Sequence, residues 1–288
     1  MFTETMKTCV IITNASKPES QAIGGQVARF LTERGIATAF YTYDGSDDGQ
    51  LIAPSDFVVT LGGDGTVLFA ARNCAPRGIP VFPINLGDFG FIASIEKDDW
   101  QQPLERFLRN ELAVSERSMV SLSVTGSTQF SAVALNDVTL CASTAVTTVA
   151  LDVTYNDVPL GVFKADGIIV CTATGSTAYS ASAGGPIVDP DMDALVLTPV
   201  NAFSLSSRPL VMHPSGELGI TMLHSYAHTG IVTVDGQRPS VVNEGDHISI
   251  RRALTRVKLA GCTPEKFYRA LRSKLNWAGG PHARKPFD

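Results

Sequence analysis

Three glycines and one carboxylate, Gly62-Gly63-Asp64-Gly65, stand between the β-branched run Val58-Val59-Thr60-Leu61 and the apolar stretch Val67-Leu68-Phe69-Ala70-Ala71. The pattern reads as strand, tight loop and helix. Such a loop lets a ligand approach main-chain N–H groups with no Cβ in the way, and the helix behind it turns its positive end towards phosphate. Thr66 is placed to cap that helix. Gly62, Gly63 and Thr66 are therefore a candidate phosphate loop. Asp64 is the exception among them, because a carboxylate beside anion-binding amides repels phosphate unless it handles a proton or a cation. A plain Asp-Gly turn is the competing reading.

The elements that would position this loop follow from the patterns around it. A buried strand over 8–13, a helix over 22–34 stopped by Gly35, a strand over 37–41 and the strand ending at Gly62 give a β-α-β-β-α rhythm. The first 110 residues thus read as an open α/β sheet, and such sheets bind ligands beyond the carboxyl ends of their strands, where Asp64 falls. A strand over 80–84 leads into a second glycine-bearing loop, Asn85-Leu86-Gly87-Asp88-Phe89-Gly90-Phe91, and a helix is expected over 98–110. This second loop either faces the first or is a structural turn with an aromatic plug. From 111 to 260 the chain changes to short alternating runs with turn signals at Gly126-Ser127, Asn156-Asp157 and Asp235-Gly236, which reads as a mainly β, sandwich-like domain. Helical spacing returns over 265–274, and 278–288 is a Gly/Pro/basic tail.

Composition narrows the functional classes. The 288 residues are 44% hydrophobic and 18% charged, as in ordinary globular proteins, and the net charge of −5 comes without a Lys/Arg stripe, so a nucleic-acid partner is not expected. Five widely spaced cysteines suggest neither a disulfide framework nor a zinc knuckle and fit a reducing cytoplasm. No apolar run reaches membrane-spanning length, so no membrane partner is expected either. His224 and His228 have the i, i+4 spacing that binds metal on a helix, but their surroundings read as strand and turn, so no protein metal site is expected. Ser176 lacks a G-x-S-x-G elbow, which argues against a hydrolase, and no G-x-x-x-x-G-K-[ST] motif is present.

A second stretch invites chemistry: Lys164-Ala165-Asp166-Gly167, a strand, then Thr174-Gly175-Ser176-Thr177-Ala178-Tyr179-Ser180-Ala181-Ser182 and Gly184-Gly185-Pro186. Hydroxyls and exposed amides can hydrogen-bond a ribose or a purine edge, and Tyr179 can stack on a base. A plain Ser/Thr/Gly loop remains the alternative.

Taken in order, LGGDGT (61–66), NLGDFGF (85–91), LND (135–137), DGIIVCTATGSTAYSASAGGPI (166–187), VDGQ (234–237) and FYRALRSKLNW (267–277) resemble the NAD kinase family, over most of the chain. GGDGT alone is shared with diacylglycerol-type lipid kinases and phosphofructokinases; GSTAYS with GGPI is far more specific. The resemblance implies a kinase transferring a phosphoryl group from ATP or another phosphoryl donor to the 2′-hydroxyl of the adenosine ribose of NAD, with NADH a further acceptor to test. It implies Asp64 as catalytic base with Gly65 at the substrate, and Asn136 and Asp137 on ribose and adenine. Asp166 would line the NAD site, while Thr174, Thr177, Ala178, Tyr179, Ser180, Ala181 and Ser182 would surround adenine and the distal ribose. Gln237 falls in a substrate loop, and Lys164 would offset phosphate charge. A divalent ion, Mg2+, would accompany the donor nucleotide. The implied architecture is an α/β domain over 1–110, a mainly β NAD-binding domain over 111–260, and 261–288 packing back on the first, assembled as a homodimer or homotetramer. The chain departs from the family in having Asp137 where Glu is common and Phe203 where many members have His. A lipid kinase sharing the GGDGT loop and a non-catalytic dinucleotide sensor are the alternatives.

Overall fold

The computed structural model describes residues 6–46, 52–87, 90–144, 147–225 and 228–275. Asp88 and Phe89 of the second glycine loop, and Trp277 with the tail, lie outside them. The described chain forms two compact units: one of 6–45, 52–115 and 258–275, the other of 116–257 with Ser46.

In the first unit, strands β1 (Thr8–Asn14), β2 (Ala37–Tyr43), β3 (Phe57–Gly62), β4 (Val81–Asn85) and β5 (Ile95–Glu96) pair in parallel in the order β2-β1-β3-β4-β5. Parallel strands covered on both faces need continuous apolar runs, and β3 is buried at every position. Helix α1 (Glu19–Thr32) turns Ser20, Gly24, Val27 and Leu31 inward at helical spacing. It begins three residues before the predicted start, because Pro18, at φ −56°, already has helical backbone. Helix α2 (Asp64–Cys74) follows β3 at once, and α3 (Gln101–Leu108) is shorter than predicted, ending before the left-handed Asn110. Phe107 on α3 meets Phe57 and Phe82 at ring-centroid distances of 5.5 and 5.6 Å, tying the helix to the sheet core.

The second unit holds β6 (Val114–Thr125) from its third residue, then β7 (Phe130–Ala134), β8 (Asp137–Ala142), β9 (Val149–Tyr155), β10 (Val158–Ala165), β11 (Gly167–Thr172), the short helix α4 (Tyr179–Ser182), β12 (Leu195–Val200), β13 (Leu210–Met212), β14 (Glu217–Leu223), β15 (Thr229–Val234) and β16 (Gln237–Asn243). One antiparallel sheet runs β13-β12-β11-β8-β15-β16. The other contains β10-β9-β14 and the long strand β17 (His247–Ala260), with β6 and β7 attached to it. Alternate residues of both sheets, among them Val138, Leu140, Val170 and Val232 from one and Leu151, Val153, Ile220 and Ile248 from the other, share one core. Asn156 with Asp157, and Asp235 with Gly236, all have positive φ, which makes them two-residue hairpin turns of the primed kind.

Strand β17 leaves the second unit after Val257, and in the first unit its Leu259 pairs in parallel with Val81 of β4. Helix α5 (Pro264–Leu275) completes the first unit and buries Phe267, Ala270 and Leu271. No described helix is long and apolar enough to cross a membrane.

Candidate active site

Asp64 is the first residue of α2, directly after Gly63, whose extended backbone (φ −101°, ψ −168°) makes the turn out of β3. Its carboxylate is held from the loop beyond β4. Phe91 N–H donates to Oδ2 at 3.1 Å, and Ile92 and Ala93 N–H donate to Oδ1 at 3.2 and 2.8 Å. The two glycine-bearing loops therefore touch, with the carboxylate of one fixed by the amides of the other. Gly90 explains why the second loop carries a glycine there: a Cβ would stand 2.2 Å from Asp64 Oδ1 and 3.1 Å from the Ala93 carbonyl oxygen. The holding segment is anchored in turn, since Ser94 Oγ donates to the Gly261 carbonyl at 3.1 Å and Cys262 Sγ to that of Ile92 at 3.2 Å.

The capping role expected of Thr66 is not what the structure has. Gly63 is the N-cap, with no side-chain cap, and Thr66 lies within the first helical turn, its N–H bonded to the Gly63 carbonyl. Its buried hydroxyl instead accepts Asn14 Nδ2 at 2.8 Å, so the end of β1 is pinned to the start of α2. The signal in the sequence for Asn14 is its place at the carboxyl end of the strand next to β3. Gly62 closes β3, and its carbonyl accepts Leu86 N–H at 3.0 Å. Gly65 is the second residue of α2.

In the second unit, Asn136 and Asp137 lie at the start of β8, both buried. Their backbone is gathered by Asp235, expected only as a turn residue, whose carboxylate accepts Leu135, Asn136 and Asp137 N–H at 3.1, 2.7 and 3.3 Å. Burial, with the Asp235 charge added, pushes the Asp137 carboxyl up to about 7, against a hydrogen bond from Thr139. Asn136 Oδ1 is buried without a hydrogen-bond partner among the described residues. An unpaired buried amide oxygen is costly, so a ligand donor is the natural complement. Gly175 packs against Asn136 so closely that a Cβ would lie 2.1 Å from its carbonyl oxygen. Thr174 and Thr177 bound the 3-10 turn around Gly175, and Ala178 leads into α4, which carries Tyr179, Ser180, Ala181 and Ser182. Ser180 is buried on Thr198 at 2.8 Å, so its hydroxyl serves packing, whereas Ser182 is exposed. Tyr179 is 45% exposed, a ring face open to stacking. Burial and then the charges of Cys141, Asp137 and Asp166 raise its phenol, which places these groups in one electrostatic neighbourhood. Asp166, exposed at the turn from β10 to β11, accepts Asn201 Nδ2 at 2.8 Å. Gln237 begins β16 beside the Asp235-Gly236 turn. Lys164 stands apart: it lines a cavity of about 630 Å³ with Thr148, Ala150, Phe203, His224, Ser225 and His228.

Two family models match the chain: the ATP-NAD kinase N-terminal domain over 46–112 and the ATP-NAD kinase C-terminal domain over 135–261. The NAD kinase of Treponema denticola is 47% identical over 277 residues, which is 95% of this chain and 98% of that protein. The chain belongs to the NAD kinase family. Two solved structures share the NAD kinase fold with it. Yeast NADH kinase complexed with NADH superposes with a TM-score of 0.87 at 22% identity, over 98% of this chain and 91% of its own. An NAD kinase from Archaeoglobus fulgidus in complex with ATP does so with 0.76 at 23% identity, over 94% and 99%. Both NAD kinase domain models end before α5, whereas the superposition on yeast NADH kinase extends over 98% of the chain.

Proposed function

We propose that the chain phosphorylates the 2′-hydroxyl of the adenosine ribose of NAD with ATP as donor, with Asp64 as the general base and NADH as a second acceptor. The observation that carries this reading is the Asp64 carboxylate at the first residue of α2, oriented through both oxygens by the amides of Phe91, Ile92 and Ala93. A sugar hydroxyl is a weak nucleophile at neutral pH, so a fixed acceptor for its proton lowers the barrier as the phosphorus arrives. Phosphoryl transfer otherwise depends on positioning and on neutralising charge, which the main-chain amides of Asp64 and Gly65 at the positive end of α2 would supply. Mg2+ prefers oxygen ligands and the phosphates of its nucleotide to an all-protein cage. Carried on the donor's own phosphates and not on Asp64, whose oxygens accept the Phe91, Ile92 and Ala93 amides, the ion would neutralise charge there.

In the second unit, Asn136 Oδ1 accepts a donor of adenine or ribose, Asp137 and Asp166 hold ribose hydroxyls, and Tyr179 stacks on the base, with Thr174, Thr177 and Gln237 completing the polar surroundings. We place the enzyme in the cytoplasm as a homodimer or homotetramer. The test is NADP formation by Asp64→Asn. Turnover is expected to fall by about 10²- to 10⁴-fold, the usual contribution of a general base. NAD binding, followed by calorimetry, should persist. Turnover within a few-fold of wild type would remove Asp64 from the chemistry. Labelled phosphate appearing in a diacylglycerol instead of NAD would redirect the acceptor.

A further inference from the structure

We infer that His224, His228 and Glu244 form a binding site for a transition-metal ion of the zinc class, separate from the Mg2+ that accompanies the donor nucleotide. Their ligating atoms lie within 4.8 Å of one another, the only such group of three or more among the described residues. His224 Nδ1 and Glu244 Oε2 are 2.8 Å apart, and the two imidazoles meet edge to face at a centroid distance of 5.5 Å. The approach does not come from a helix. β14 ends at Leu223, and His228 N–H donates to the Ser225 carbonyl at 3.1 Å. His228 has left-handed backbone, φ +42°, a conformation costly for a residue with a Cβ and one that persists where its surroundings fix it. Glu244 is supplied by the turn after β16, just before Gly245.

A tetrahedral ion with nitrogen and oxygen ligands at ~2.0–2.2 Å brings its ligands to roughly 3.3 Å of each other. Side-chain freedom is available for closing from the present spacing: the His224 and Glu244 side chains are 73% and 49% exposed, and His228 is exposed as well. Two imidazoles with one carboxylate favour zinc and its neighbours over Mg2+ or Ca2+. Three protein ligands leave one position for water. His224 and His228 line the cavity of about 630 Å³ together with Ser225, whose buried Oγ has no hydrogen-bond partner among the described residues. That hydroxyl is the group expected to bond the water on the ion. None of this depends on the assignment of Asp64.

The experiment is a zinc titration of the tag-free full chain in competition with a chromophoric chelator, repeated with Co2+ to read the coordination geometry from its visible absorption. The wild type is expected to take one equivalent with a four-coordinate cobalt spectrum, unaffected by a large excess of Mg2+. His224→Ala and His228→Ala should each weaken binding at least tenfold, while His247→Ala should match the wild type. Circular dichroism of each variant establishes that the fold is retained. The inference is overturned if the wild type takes up no more zinc than a His224→Ala/His228→Ala double variant. It also fails if His247→Ala weakens binding as much as the other two, or if Mg2+ displaces the ion.

Discussion

A methyl group on Gly90 would press directly on the carboxylate that the reaction is assigned to, since the added Cβ falls 2.2 Å from Asp64 Oδ1. Gly90→Ala is therefore expected to lower kcat by about 10²-fold, the cost of displacing a reacting group by around 1 Å, with a much smaller change in KM for NAD. Steady-state kinetics on the purified variant would check it; equal loss in both constants would mean that the loop bears on binding instead. Asp137 offers a second residue-scale test. Its carboxyl is raised to about 7, so between the ordinary carboxylate range and that value the folded chain holds a proton that the unfolded chain has lost. Stability contributed by this residue is thus present at low pH and declines as pH rises to about 7, then stays level. Asp137→Asn removes that decline, so its denaturant midpoint relative to wild type should rise between about pH 5 and pH 8. Asp64 was legible as the odd carboxylate in a glycine loop. Its three donors were not, because they lie 27 to 29 residues further on and act through main-chain groups that carry no side-chain signature.

Among the elements, the β15-β16 hairpin does more than reverse the chain. Its turn residue Asp235 satisfies three consecutive N–H groups ahead of β8, so Asp235→Ala strands buried donors at about 1–3 kcal/mol each. A loss of at least about 3 kcal/mol in the unfolding free energy from urea titration is expected, with weakened NAD binding because Asn136 and Asp137 lose their anchor. A stability change under about 1 kcal/mol would show that the donors find other partners. The hairpins at Asn156-Asp157 and Asp235-Gly236 were readable because their residue pairs tolerate positive φ between alternating strands. The β-α-β rhythm of the first unit was readable for a similar reason, since periodicity and glycine stops are local. One expectation fails for want of the third dimension. Thr66 was assigned to the cap because the residue type suits it, whereas the chain starts the helix at Asp64 and spends the hydroxyl on Asn14, across from another strand. The surroundings of the histidine pair read as strand and turn, and β14 is a strand that ends at Leu223; what the spacing could not give is that the two rings stand 5.5 Å apart without a helix.

Across the whole molecule the cysteines behave as small apolar residues. Cys9, Cys74, Cys171 and Cys262 are buried, and none of the five is in a disulfide. Burial pushes the Cys74 and Cys171 thiols up to about 12 and raises that of half-buried Cys141, which keeps them protonated and unreactive at neutral pH. A thiol-reactive chromogenic reagent should therefore modify at most one cysteine in the native protein and all five in denaturant; rapid reaction of two or more in the native state would mean that the units open readily. The connectivity of the first unit has a further consequence. Its sheet and its Asp64 loop are encoded early, but the Gly261 and Cys262 contacts that hold the 92–94 segment, together with Leu259 on β4, belong to the stretch after the second unit. On the ribosome, the later-encoded unit has all its residues before the earlier one does. A nascent chain can thus assemble its β layers while the carboxylate is still unbraced, and competence for turnover arrives only as synthesis passes Cys262.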